Sequence, residues 1–171
     1  MILKIDVLGS LAPFLEVEVG GMVETRLVLD LGIFIEEVVK DFRMTTKTEG
    51  LRRPPKVIDG YLPPKRATDE DDFPFVIVRA EEGVSQPGST QVSISLIIGG
   101  YTTETDGYAY CLEIMQRIRT ALCQLPNQTL NARYQLEFPI EWRNVPDQPY
   151  PQWLIEMTTH WVMNTPALTD F

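Results

Sequence analysis

The sequence predicts an α+β fold: a mostly antiparallel sheet with two main helices packed on it. Three observations carry this. Stretches that alternate with period two outnumber those with period three to four. The alternating stretches follow one another closely enough to pair as hairpins. The two helical stretches are each apolar along one face only, so they need a sheet to cover. With 171 residues the chain can build one domain with its own core. The expected division is an N-terminal hairpin over 1–21 and a single domain over 22–171, with a long irregular arm over 44–72.

At the N-terminus, Leu3, Ile5 and Val7 alternate with Lys4 and Asp6, and Leu15, Val17 and Val19 alternate with Glu16 and Glu18. That pattern predicts a β-hairpin, ended by Gly20-Gly21. From Met22 the period changes. Val23, Leu27, Leu31, Ile35, Val38 and Phe42 mark one face of a helix, with Glu36 and Lys40 as an i, i+4 pair on its wet side. Gly32 weakens that helix by about 1 kcal/mol relative to alanine.

Met44 to Asp72 lacks periodicity and is predicted to be the irregular arm. It contains Pro54, Pro55, Pro63 and Pro64, the basic residues Lys47, Arg52, Arg53, Lys56, Lys65 and Arg66, and the acidic run Asp69 to Asp72. A loop of that length usually has a function or is disordered. Within it, Val57-Ile58 has room for a very short strand. The arm reads either as solvated surface or as a segment lying on a partner, its basic cluster facing an acidic neighbour.

Phe73 to Ala80 is rich in β-branched and aromatic residues, which predicts a strand. A turn or longer loop follows over Gly83 to Gly88. Val92, Ile94, Leu96 and Ile98 alternate with Ser93 and Ser95 in a second, half-buried strand. Asp106 is the expected N-cap of the clearest helix, whose apolar face is Tyr108, Cys111, Leu112, Met115, Ile118 and Leu122 and which stops near Pro126-Asn127. Two further strands follow. One carries Tyr134, Leu136, Phe138, Ile140 and Trp142 on one face. The other carries Trp153, Ile155, Met157, Trp161 and Met163, with Glu156, Thr158 and His160 opposite. Pro146, Pro149 and Pro151 stiffen the link between them.

The chain has 15 basic and 24 acidic residues, a net charge of −9. With a pI near 4.6 this opposes tight binding to nucleic-acid phosphates. A mean hydropathy of −0.08 excludes a wholly disordered chain. No apolar run approaches the ~20 residues of a membrane-spanning helix. The opening MILKIDVLGS is broken by charge, unlike a secretory leader, so synthesis inside the cell is expected. Cys111 and Cys123 fall on one predicted helix, about 18 Å apart along its axis. A disulfide needs Cα atoms within about 7 Å, so both are expected as free thiols.

Catalytic signatures are sparse. There is no glycine-rich phosphate loop and no G-x-S-x-G elbow. One histidine and two distant cysteines make no metal cluster, and Asp69 to Asp72 lacks the spaced ligands of a calcium loop. No cofactor and no metal are expected, and the chain reads as a non-enzyme. The alternative from the enzyme class is a hydrolase using Glu156 and His160, which a buried pocket around the histidine would favour.

Four segments in order resemble tail terminator proteins of long-tailed bacteriophages and related prophages. They are PPKVIDGYLPPK (Pro54 to Lys65), FPFVIVRAEEG (Phe73 to Gly83), DGY at the opening of the second helix (Asp106 to Tyr108), and QPYPQWLIEMTTHW (Gln148 to Trp161). The resemblance covers about residues 23–171. It implies a structural protein that forms a homo-oligomeric, hexameric ring on the head-proximal end of the tail tube. Such a ring ends tube polymerisation and provides the surface on which head–tail connector proteins dock. DNA passes its channel without tight binding. The implied location is the virion tail, and the bacterial host cytoplasm during assembly. The second reading is another neck or connector component. The residues expected to contact the tail tube protein or a ring neighbour are Arg52, Arg53, Lys56 and Tyr61 in the arm, and Glu82, Gly83, Ser85, Gln86 and Ser89 in and beside the loop.

Overall fold

The computed structural model describes residues 23–63, 72–105, 107–147 and 149–164. The predicted hairpin at 1–21, most of the acidic run (Asp69 to Asp71) and Asp106 lie outside the described residues. Helix α1 spans Val23–Val39 and α2 spans Tyr108–Cys123. The strands are β1 (Met44–Thr45), β2 (Arg52–Arg53), β3 (Lys56–Asp59), β4 (Phe75–Gln86), β5 (Ser89–Tyr101), β6 (Thr129–Leu130), β7 (Tyr134–Asn144) and β8 (Gln152–Met163). The six larger-sheet strands run in the order β3-β4-β5-β8-β7-β6, and β1 and β2 form a separate two-stranded ribbon. Only the short β3–β4 pairing is parallel; the other pairings are antiparallel. This is the α+β architecture that the alternation predicts.

Both helices pack on one face of the sheet. Helix α1 buries Leu27, Leu31, Ile35 and Val39, one residue per turn. Helix α2 buries Cys111, Ile114, Met115, Ile118 and Leu122. Ile114 belongs to this face, whereas Tyr108 in the first turn is exposed. From below, β4 contributes Val76 and Val78, and β5 contributes Val92, Ile94, Leu96 and Ile98. Strand β8 adds Ile155, Met157, Trp161 and Met163, and β7 adds Tyr134 and Leu136. Thr159 shares this inward parity and is fully buried. Its hydroxyl accepts from the Trp161 indole N–H at 2.8 Å and donates to the Ile94 carbonyl at 3.2 Å, so no polar atom of that trio is left unpaired. On the opposite face a smaller cluster forms from Phe73, Phe75 and Ile77, edged by Ile58, Ile97, Tyr101 and Leu154.

Over its described residues the predicted arm is irregular apart from three short strands, of which β3 contains the Val57-Ile58 strand that the sequence left room for. Met44 is buried in the main core, and β3 is an edge strand paired with Phe75 to Val78. The Lys56 amide donates to the Pro74 carbonyl at 2.9 Å, and Lys56 also pairs with buried Asp72 at 3.7 Å. The sequence marked Val57-Ile58 but not its pairing, because the partner strand lies across a proline-rich segment.

The predicted loop at Gly83 to Gly88 is corrected. Strand β4 continues to Gln86 and β5 begins at Ser89, so the turn is only Pro87-Gly88. Gly88 there has φ +85°, a conformation open to glycine at little cost. A bulge between Ala80 and Glu82 shifts the register of this hairpin. On β7 the expected alternation breaks. Between Glu137 and Glu141 the strand carries three residues against one on β8, and Phe138 is exposed there. Pro139 has no N–H to give to the ladder, which explains a bulge at this point.

Asp106, the expected cap of α2, lies outside the described residues; Gly107 occupies the position before the helix, and among the described residues no side chain caps it. The glycine answers to packing: a Cβ there would lie 2.3 Å from Nε1 of Trp153. That indole donates to the Thr102 carbonyl at 3.0 Å. Cys111 and Cys123 are both free thiols, the first buried and the second exposed.

Candidate assembly surface

The nine predicted contact residues fall at two separated places. Arg52, Arg53, Lys56 and Tyr61 lie where the β1–β2 ribbon and β3 meet the base of the sheet. Glu82, Gly83, Ser85, Gln86 and Ser89 lie toward the far end of the β4–β5 hairpin.

At the first place several side chains hold the fold together. Arg53 donates to the Phe73 carbonyl at 2.8 Å and is half-buried. Arg52 donates to the Arg43 carbonyl at 3.0 Å, while Arg43 donates to the Arg52 carbonyl at 3.4 Å. Arg43 and Arg52 are exposed, and a neutral carbonyl fixes a guanidinium without cancelling its charge. Lys47 lies over the rings of Phe73 and Tyr101, at 5.3 and 5.9 Å from their centroids. The Thr45 hydroxyl donates to the Tyr101 carbonyl at 2.6 Å and ties the ribbon to the end of β5. Tyr61 stacks under the Arg79 guanidinium at 3.9 Å, and Arg79 also donates to the Gly60 carbonyl.

At the second place β4 outruns β3. Glu81 to Gln86 are all exposed, and over Glu81 to Ser85 the outer edge has no strand partner among the described residues. Ser85 and Thr90 share a hydrogen bond across the hairpin at 3.1 Å. Glu82 stands opposite Ser93, Ser93 opposite His160, and His160 opposite Glu137, so one row crosses four strands. This row floors an open groove of about 290 Å³, walled on the β7 side by Phe138 and Pro139 and on the β4 side by Val84.

His160 sits in that groove between two partners. Its Nδ1 is 3.1 Å from the Ser93 hydroxyl and its Nε2 is 3.3 Å from the Glu141 carboxylate. Glu156 is held elsewhere: Arg143 reaches it at 2.8 Å. Four residues along a strand separate Glu156 and His160 by about 13 Å, so they do not act as a pair. Ser93 lies on a strand flanked on both sides, which commits its amide to the ladders and offers no oxyanion donor there. The row is a hydrogen-bonded surface seam. Sequence reading found His160 but missed Ser93, Glu137 and Glu141, because their convergence depends on cross-strand register and on the β7 bulge.

Burial shifts several titratable groups. Burial pushes the Cys111 thiol up to about 12. Tyr134 is raised by burial and by donating to Asp30 at 3.0 Å, a bond that ties β7 to α1. Burial also raises Asp59, beside the helix α1 contact at Gly32. Among the described residues no group of three or more His, Cys, Asp or Glu side chains is arranged to hold a metal ion. Among them, too, no helix is long and apolar enough to cross a membrane.

No protein-family model matches the chain, and no curated protein matches it.

Proposed function

We propose that the chain is a structural virion protein of the tail terminator class. It closes into a homo-oligomeric ring, hexameric in the class it resembles, on the head-proximal end of a tail tube. There it ends tube polymerisation and offers the docking surface for head–tail connector proteins. The observation that carries this reading is the far part of β4. Five exposed residues, Glu81 to Ser85, lie beyond the end of β3 and present a strand edge without a strand partner among the described residues, which another chain can cover. The four ordered sequence segments add support. They fold into β3, β4, the opening of α2 and β8, so three of them belong to one sheet. The net charge of −9 suits a channel that DNA traverses without sticking.

The test is electron microscopy of the purified protein, alone and with tail tubes. Rings, and tubes capped at one end, are expected. A protein that stays monomeric at every concentration and leaves tube ends bare overturns the reading. Capture by isolated portal complexes with no affinity for tube ends would point to a neck or connector component.

A further inference from the structure

Two surfaces of opposite charge lie at opposite ends of this sheet. The first is the ribbon. Its turn presents Leu51, 46% exposed, among Arg43, Lys47 and Arg52, with Glu49 as the carboxylate of that turn. The second is the groove at the far end of the hairpin. Glu82, Glu137 and Glu141 are exposed there, beside the exposed apolar side chains of Phe138 and Val84. Glu82 and Glu137 have no side-chain partner among the described residues.

The ribbon is tied to Tyr101 and the groove is centred on Ser93. From one to the other β5 rises about 27 Å at ~3.4 Å per residue. A ribbon fixed by the Thr45 and Arg53 bonds cannot cross that distance to its own groove. The ribbon of another copy can reach it.

We infer that the base of one copy's ribbon turn, where Leu51 stands opposite Thr46, seats in the hairpin groove of the next copy, with Arg43, Lys47 and Arg52 facing Glu82, Glu137 and Glu141. The Leu51 side chain meets Phe138 and Val84 while the charges around it pair. The two patches differ, so the contact is head-to-tail, the kind that closes into a ring when the rotation permits. This rests on the ring-forming reading and names the contact that would build the ring.

Charge reversal with complementation tests it. Glu82→Lys/Glu137→Lys reverses the groove, and Arg43→Glu/Arg52→Glu reverses the ribbon. Each full-length variant is expected to self-associate at least about tenfold more weakly than wild type in sedimentation at low salt, the effect of one well-placed charge pair. An equimolar mixture of the two should recover assembly, because each groove then meets a ribbon of opposite sign. Leu51→Asp, which alters the base of the turn without touching the arginines, should weaken association equally, and folding of every variant is checked by circular dichroism. If wild type forms rings and the groove variant, the ribbon variant and Leu51→Asp form them as well, this contact is wrong and the ring reading stands. If the mixture fails to assemble while both variants are folded, the pairing is also wrong. If wild type itself never assembles on tube ends or alone, both readings fall.

Discussion

At the residue scale, the two cysteines differ in environment and should differ in chemistry. Cys123 is exposed at the end of α2, while Cys111 is buried against the sheet and donates to the Trp153 carbonyl at 3.5 Å. Only a thiolate reacts readily with labelling reagents. One thiol per chain should therefore label quickly in native buffer and the second only on unfolding; rapid labelling of both would contradict the packing. The raised Cys111 value also sets a pH limit. The folded thiol stays protonated up to about 12, whereas the unfolded one ionises from its ordinary 9.0. Its contribution to stability is complete below pH 9 and is lost as the pH rises toward 12. Tyr134 is raised as well and acts in the same direction. Denaturant titrations between pH 8 and 11 should show stability falling with pH more steeply for wild type than for Cys111→Ala.

At the element scale, Gly32 is the clearest opportunity in α1. It lies in the helix interior, and an added Cβ would meet Asp59 Oδ1 at 3.5 Å and Val57 at 3.6 Å, ordinary contact distances. Gly32→Ala should raise stability by about 1 kcal/mol, seen as a higher melting temperature. The ribbon and edge strand alter what Arg52 and Arg53 substitutions mean. With Arg53 bonded to the Phe73 carbonyl and Arg52 to that of Arg43, reversing both to glutamate would loosen the ribbon as well as change its charge. The hairpin end separates stability from assembly more cleanly. Val84 is exposed on β4 beyond β3, so Val84→Arg should leave the unfolding free energy within about 0.5 kcal/mol of wild type while producing overlong tails. Normal tail lengths would remove the hairpin from the assembly surface.

At the scale of the whole molecule, charge and shape argue against tight nucleic-acid binding. The net charge is −9; four described basic residues, Arg43, Lys47, Arg52 and Arg53, gather at the ribbon, and others such as Arg79, Arg117 and Arg143 are scattered and engaged with carboxylates. A gel shift with duplex DNA at physiological salt should give no sub-micromolar complex. One that appeared would require a basic track that the described surface does not offer.

The sequence by itself determined the α+β class, both helices, the inward residues of β5 and β8, and the separation of the two thiols. Each of these follows from a period, and a period is a property of neighbours along the chain. His160 was legible too, by its shared parity with Glu156 and Thr158. Tertiary structure decided the rest. Lys56 to Asp59 became an edge strand only by pairing with β4, and Met44 became core only because the ribbon docks on β5. Glu82, Ser93, His160 and Glu137 came into one row because the bulge at Ala80 and the irregularity around Pro139 set the cross-strand registers. The basic cluster of the arm was legible in the sequence. Register is a relation between strands distant in sequence, so no local pattern could have announced the groove or put it and that cluster at opposite ends of one sheet.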